Sequence, residues 1–227
     1  MTTKQVHQVH QVHQVQQVQQ VHQVQQVHQV QQEQLPFRLR IRQKITRDKK
    51  KEFLSKNNAK YLLTTRFSNE TWNENMTYLQ NQNQIKCIYC NTYGVSETIP
   101  INKMIYVLEM NNNTNQIMGI GLVRNSPYRE YFRVYKKGLY NMTAYVGYHR
   151  LCREELCNDI IDDVNILEEL EHTCFKGKGH LKMGQGMTSS PIHVLVHLLE
   201  NNIDVLEWLS KKFKEKYVVS NSNKSGT

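Results

Sequence analysis

The chain predicts an α+β fold behind a long, low-complexity leader. Short β-type runs cluster in its middle, between about residues 59 and 148, and two of them flank a polar Asn-rich turn. Helical spacing appears at 68–79 and again after Arg153. The order of domains follows from composition: a repeat over 1–34, a basic arm over 35–58, the α+β body over 59–217 and a polar tail over 218–227.

From Val6 to Val30 a valine recurs at every third position, with Gln or His between. That period matches neither a helix nor a strand, so no lasting apolar face forms and disorder is expected. The other reading of the repeat is self-association. His7, His10, His13, His22 and His28 lie within it, but nothing fixes their geometry as metal ligands.

The arm follows. Residues 35–66 carry 11 basic side chains against Asp48 and Glu52, which accounts for the whole net charge of +9. Arg38, Arg40 and Arg42 alternate with Leu39 and Ile41, so an extended chain presents the guanidinium groups on one face. Lys44, Lys49, Lys50 and Lys51 continue the run, the last three on a helix that Thr46 can cap. Such a segment suits contact with nucleic-acid phosphates. A solvated linker or a localisation signal would look the same.

In the body, Ala59–Thr65 reads as a strand, and Ser68 caps a helix through Trp72, Met76 and Leu79. Ile85–Tyr89 is a second strand. Lys103–Met110 and Gln116–Val123 form a β-hairpin about Asn111–Asn115, and further extended segments are expected at 131–135 and 143–148. Arg153–His172 reads as one acidic amphipathic helix, with Leu156, Ile160, Val164 and Leu167 inward and Asp162-Asp163 and Glu168-Glu169 on its solvated face. A Gly-rich basic loop spans 176–186. Ser190-Pro191 then opens a last helix that runs to Lys216.

Four stretches resemble the PUA-like superfamily, and within it the YTH and EVE domains. Lys60-Tyr61-Leu62-Leu63 before a Ser-started helix is similar to their opening strand and helix, and Ile105–Val123 to their central hairpin. Tyr148–Leu156 is similar to the stretch before their later helix, and Lys182-Met183-Gly184-Gln185-Gly186 to a short basic strand end. The resemblance implies a small β-barrel and a non-enzymatic pocket that receives a modified base between aromatic side chains. The chain departs from the family in one respect. Trp72 and Trp208 fall on predicted helices, and Cys87-Ile88-Tyr89-Cys90-Asn91 stands where a cage tryptophan is expected. A pocket would therefore be built from Tyr89, Tyr93 and Tyr106 with Asn91, unless these tyrosines pack in the core.

Cys87-x-x-Cys90 is half of a zinc site, with His149, Cys152 and Cys157, or His172 and Cys174, as possible second halves. A flat strand would point the first two to opposite faces, so free buried thiols are expected and no metal or other cofactor. The loop at 179–189 lacks the lysine of a nucleotide-triphosphate site, carrying Gln185 there. It can still offer backbone amides with Lys176, Lys178 and Lys182 to a phosphate. There is no nucleophile elbow, no H-E-x-x-H and no convincing carboxylate pair, so an enzyme is not expected.

The expected partner is nucleic acid, RNA ahead of DNA, with no membrane. The rival is a structural protein, such as a virion component, in which the repeat associates and the arm neutralises nucleic acid. A body rich in Asn, Lys, Ile and Tyr fits an AT-rich genome, as in a protist or a large DNA virus. Lacking a signal peptide or a membrane-spanning run, the chain is expected in the cytoplasm, nucleus or virion and not secreted.

Overall fold

Two alternating sets of apolar side chains on one sheet set the architecture of the body. In the computed structural model, Leu62, Leu108, Met110 and Ile120 lie in one hydrophobic cluster, while Leu63, Ile105, Val107 and Val123 lie in another. Successive strand residues face opposite ways, so a sheet whose two sides are both apolar must be covered on both. The structure describes Phe53, Ser55 and residues 61–128, 132–157, 161–177, 179–184 and 186–217. These belong to one of the chain's two units, Lys44–Thr227, whereas Met1–Gln43 lies outside the described residues. So do the rest of the basic arm, apart from Phe53 and Ser55, and the 218–227 tail.

The elements run β1 (Tyr61–Phe67), α1 (Asn69–Gln80), β2 (Cys87–Asn91), β3 (Met104–Asn111), β4 (Gln116–Arg124), a 3-10 turn (Gly138–Asn141), β5 (Thr143–Gly147), β6 (His149–Cys152), α2 (Arg153–Cys157), α3 (Ile161–Phe175), β7 (Thr188–Ser189), α4 (Ile192–Glu200) and α5 (Val205–Tyr217). Five strands form a mixed sheet in the order β6-β4-β3-β1-β7, with β1 and β3 parallel. The pairs β3–β4, β4–β6 and β1–β7 are antiparallel. One face packs on residues of α3, α4 and α5, together with Phe53. The other packs on β2, β5 and α1.

The fold is α+β, but the sheet does not close into a barrel. β2 and β5 pair with each other as a separate two-stranded ribbon. The ribbon reaches β4 closely because glycines remove side chains there. A Cβ at Gly147 would fall 2.5 Å from the Leu122 carbonyl, and one at Gly121 would fall 2.7 Å from Cys87 Sγ. At the other edge β7 has two residues and Pro191 follows two positions later, so it offers no length on which to extend the sheet.

Ser68 caps α1 as expected: its Oγ accepts from Thr71 N at 3.2 Å, and Thr71 Oγ1 accepts from Ser68 N at 2.9 Å. The hairpin β3–β4 also forms, with Asn115 left-handed at φ 57°. Four other expectations are corrected. Residues 132–135 are not a strand, because the Asn141 side chain replaces a strand partner. Its Oδ1 accepts from Val134 N and Tyr135 N at 3.2 and 3.0 Å, and its Nδ2 donates to the Tyr135 carbonyl at 2.6 Å. α2 and α3 hold the described parts of the helix expected from Arg153, residues 158–160 lying outside the described residues, and Asp163 is buried, not solvated. It accepts from Trp208 Nε1 at 2.7 Å and is ion-paired with Lys212. Ser190 does not cap α4: Pro191, extended at φ −60° and ψ 126°, takes the N-cap position, and the Ser190 N–H continues the sheet by donating to the Leu62 carbonyl at 3.0 Å. The last helix is two. Asn202, at φ 64°, ends α4, and Asp204 Oδ1 accepts from Glu207 N at 3.0 Å to start α5.

Candidate functional site

A cleft of about 250 Å³ opens where β1 ends and α1 begins. Thr65 and Arg66 of β1 and Ser68, Glu70, Thr71 and Glu74 at the start of α1 form one wall. Tyr135, Lys136, Lys137 and Tyr140 from the segment before β5 form a second. Gly184 and Gly186 of the Gly-rich loop, with Cys90 of β2, complete it. The sharp turn from strand to helix at Ser68 places both elements at one opening.

Arg66 dominates the electrostatics. Its Nε donates to the Leu181 carbonyl, Nη1 to the Gly186 carbonyl at 3.3 Å and Nη2 to Thr188 Oγ1 at 2.8 Å. None of these partners is an anion, and among the described residues no carboxylate pairs with it. Burial consequently lowers the guanidinium pKa from its ordinary value. Two further cations, Lys136 and Lys137, are exposed on the facing wall. The Lys136 ammonium stands 3.7 Å from Glu74.

The aromatic part of the cleft is ordered from behind. Tyr135 and Tyr140 meet edge to face with ring centres 6.3 Å apart. Asn75, buried on α1, donates to the Tyr135 hydroxyl at 3.0 Å and to the Ile88 carbonyl at 2.8 Å. Gly184 and Gly186 adopt φ 113° and 65°, which side-chain-bearing residues rarely do, so the loop backbone can approach the opening. Burial pushes the Cys90 thiol up to about 12, so it is protonated and no nucleophile at neutral pH.

The residues singled out from sequence are dispersed. Tyr89 is fully buried and donates to Glu109 Oε1 at 2.7 Å, Tyr106 packs on Phe213, and Tyr93 is 79% exposed. Tyr89 and Tyr106 belong to different hydrophobic clusters. Asn91 is buried behind the glycine loop, where its Oδ1 accepts from Met187 N at 3.1 Å. Lys182 bridges to the hairpin turn, its Nζ donating to Asn115 Oδ1 at 2.7 Å, and Lys176 is exposed. Arg38, Arg40, Arg42, Lys44, Lys49, Lys50, Lys51 and Lys178 lie outside the described residues. Cys87 and Cys90 are buried free thiols. Among the described residues no three His, Cys, Asp or Glu side chains gather as metal ligands, and no helix is long and apolar enough to cross a membrane.

Sequence reading missed Arg66, Lys136, Lys137, Tyr135, Tyr140 and Glu74 as one group. Arg66 closes the basic run and Tyr135-Lys136-Lys137 is a basic aromatic triplet, but nothing in their spacing joins positions some 70 residues apart. A second charged centre, Glu109 with Arg150, is closed on itself. The Arg150 guanidinium grips both carboxylate oxygens at 2.6–3.0 Å and lies 5.6 Å above the Trp72 ring. No protein-family model matches the chain, and no curated protein or solved structure matches it.

Proposed function

We propose that the chain is a nucleic-acid-binding module that acts without turnover. In it, the cleft at the β1–α1 junction receives one nucleotide of a single strand. Arg66 and Lys137 neutralise a phosphate, and the Tyr135–Tyr140 wall offers an aromatic surface to the base. RNA is favoured over DNA, because RNA presents unstacked bases in loops and ends. The basic arm adds phosphate contacts ahead of the body. The parallel β1–β3 pair, with α1 between its strands and followed by the β3–β4 hairpin, supports a PUA-like body, here in an open form.

One observation carries this reading: a largely buried guanidinium in an open cleft whose hydrogen-bond partners are carbonyls and a hydroxyl, with no carboxylate paired to it among the described residues. A cation removed from water without an anion is costly, and a phosphate is the partner whose geometry suits the unused N–H groups.

The test is fluorescence anisotropy of the full chain with single-stranded RNA and DNA oligonucleotides across a salt series. Lys137→Gln should weaken binding of every sequence and lower the salt slope by about 0.7. Arg66→Lys, which keeps the charge and loses the fork, should weaken it about tenfold. Changing Arg38, Arg40 and Arg42 together to Gln should lower the slope by about two. Unchanged affinity in the Arg66 and Lys137 variants would remove the cleft from the binding surface.

A further inference from the structure

The two ends of the five-stranded sheet are closed by different means. At one end β7 is only two residues long, whereas at the other the edge of β6 is met by side chains. Arg150 N–H donates to the Tyr217 hydroxyl at 2.9 Å. The Arg150 carbonyl accepts from that hydroxyl at 2.7 Å and from Lys216 Nζ at 3.0 Å. Two positions on, Cys152 N–H donates to Glu155 Oε2 at 2.8 Å, and Glu155 Oε1 accepts from Lys216 Nζ at 2.5 Å. The Tyr217 ring lies edge to face with His149, centres 4.4 Å apart.

These bonds fill the groups that an incoming strand would use. β6 pairs with β4 on one side, and strand residues alternate in the side to which their N–H and C=O point, so those of Arg150 and Cys152 face outward. Unpaired groups of this kind are a template for strand addition. A phenol both donates and accepts, so Tyr217 alone answers both groups of Arg150. The strand that fits the bare edge is β6 of a second copy. With a two-fold axis at Arg150, the two Arg150 residues would exchange N–H···O=C bonds in both directions, and Tyr148 would stand opposite Cys152. Tyr148 is exposed and brings an apolar ring to that pairing.

We propose that Tyr217 and Lys216, with Glu155, form a removable guard on the β6 edge, in the place that β6 of a second copy takes when the last turn of α5 withdraws. The sheet then continues across two chains. The guard residues sit at a helix end, and the Lys216 and Glu155 side chains are part-exposed, the setting in which local opening is least costly. The edge lies at the opposite end of the sheet from β7, and the proposal holds whether or not the cleft at β1 receives nucleic acid.

The test follows the mass of the full chain by light scattering over a concentration series, with the wild type as the baseline for association through any other segment. Lys216→Ala combined with Tyr217→Ala, at a temperature where its circular dichroism matches the wild type, should dimerise with a dissociation constant at least about tenfold lower. Adding Tyr148→Pro, which removes a donor that the pairing needs, should restore the wild-type curve. Tyr217→Phe keeps the ring on His149 and so spares the fold. In it, hydrogen exchange at the Arg150 amide should quicken about tenfold, while the Leu151 amide, on the β4 side, keeps its rate. A double-alanine curve that overlays the wild type's, or association that survives Tyr148→Pro, would overturn the proposal. So would an unchanged Arg150 exchange rate in Tyr217→Phe.

Discussion

Arg66 and Arg150 stand on strands of the same sheet and have opposite surroundings. Arg150 reaches inward from β6, where Glu109, 1% exposed, takes it bidentately and the Tyr89 hydroxyl donates to the same carboxylate. Burial lowers the Arg150 pKa, but the charge and hydrogen bonds of Glu109 outweigh it and hold the value above the ordinary one. For Arg66 no carboxylate plays that part; burial outweighs the opposing influence of the Cys174 thiol, and its pKa is lowered. The backbone was shaped around the first centre. A Cβ at Gly119 would lie 2.6 Å from Arg150 Nη2, and one at Gly121 only 1.9 Å from Tyr89 Oη. A cation with its own carboxylate is part of the architecture, whereas one given only carbonyls and a hydroxyl at a cleft is available to an anion from outside.

The largest expected effect lies on the closed side of that comparison. Arg150→Met leaves Glu109 buried without its partner and should cost about 3–5 kcal/mol of folding stability, read as a lower urea midpoint. Combining it with Glu109→Gln should recover part of the loss, because the buried charge is then gone. An Arg150→Met protein of wild-type stability would mean that the pair does not hold the two layers together.

A smaller effect concerns pH. Burial, reinforced by Glu109, pushes the Cys87 thiol up to about 12. The folded state therefore keeps a proton that the unfolded chain releases from about pH 8.5 upward, so it binds more protons in that range and stability falls as pH rises. Between about pH 9 and 12 this thiol should contribute a loss of about 1.4 kcal/mol per pH unit. Urea unfolding at pH 7.5, 9 and 10 should show the decline, to which the equally raised Cys90 and Cys174 thiols add, and Cys87→Ala should make it shallower by about 1.4 kcal/mol per pH unit. An identical slope in that variant would contradict the assignment.

What could be read from sequence was local. Ser68 three residues before Thr71, and two β-type runs about an Asn-rich turn, carry their meaning within a few positions, and both elements formed. What could not be read depended on pairings far apart in the chain. Nothing adjacent to Asp163 announces Lys212 and Trp208, and nothing near Glu109 announces Arg150, so charged residues assigned to a solvated face or left unremarked proved buried. Residues 132–135 have a strand's alternation, but a single amide, Asn141, took the backbone groups that a neighbouring strand would have used. Cleft residues share this difficulty, since Arg66, Glu74 and Lys137 belong to three segments and meet only through the β1–α1 turn.

The contrast between the two arginines is tested most directly by thermal melts of the wild type, Arg66→Met and Arg150→Met, each with and without a saturating single-stranded RNA oligonucleotide. A ligand that binds only the folded state raises its melting temperature by mass action. Wild type and Arg150→Met should both gain with RNA, the latter from a lower starting point. Arg66→Met should gain little or nothing, whatever its own ligand-free melting temperature. An RNA-dependent rise in Arg66→Met equal to that of the wild type would contradict the account, because the anion site would then lie elsewhere.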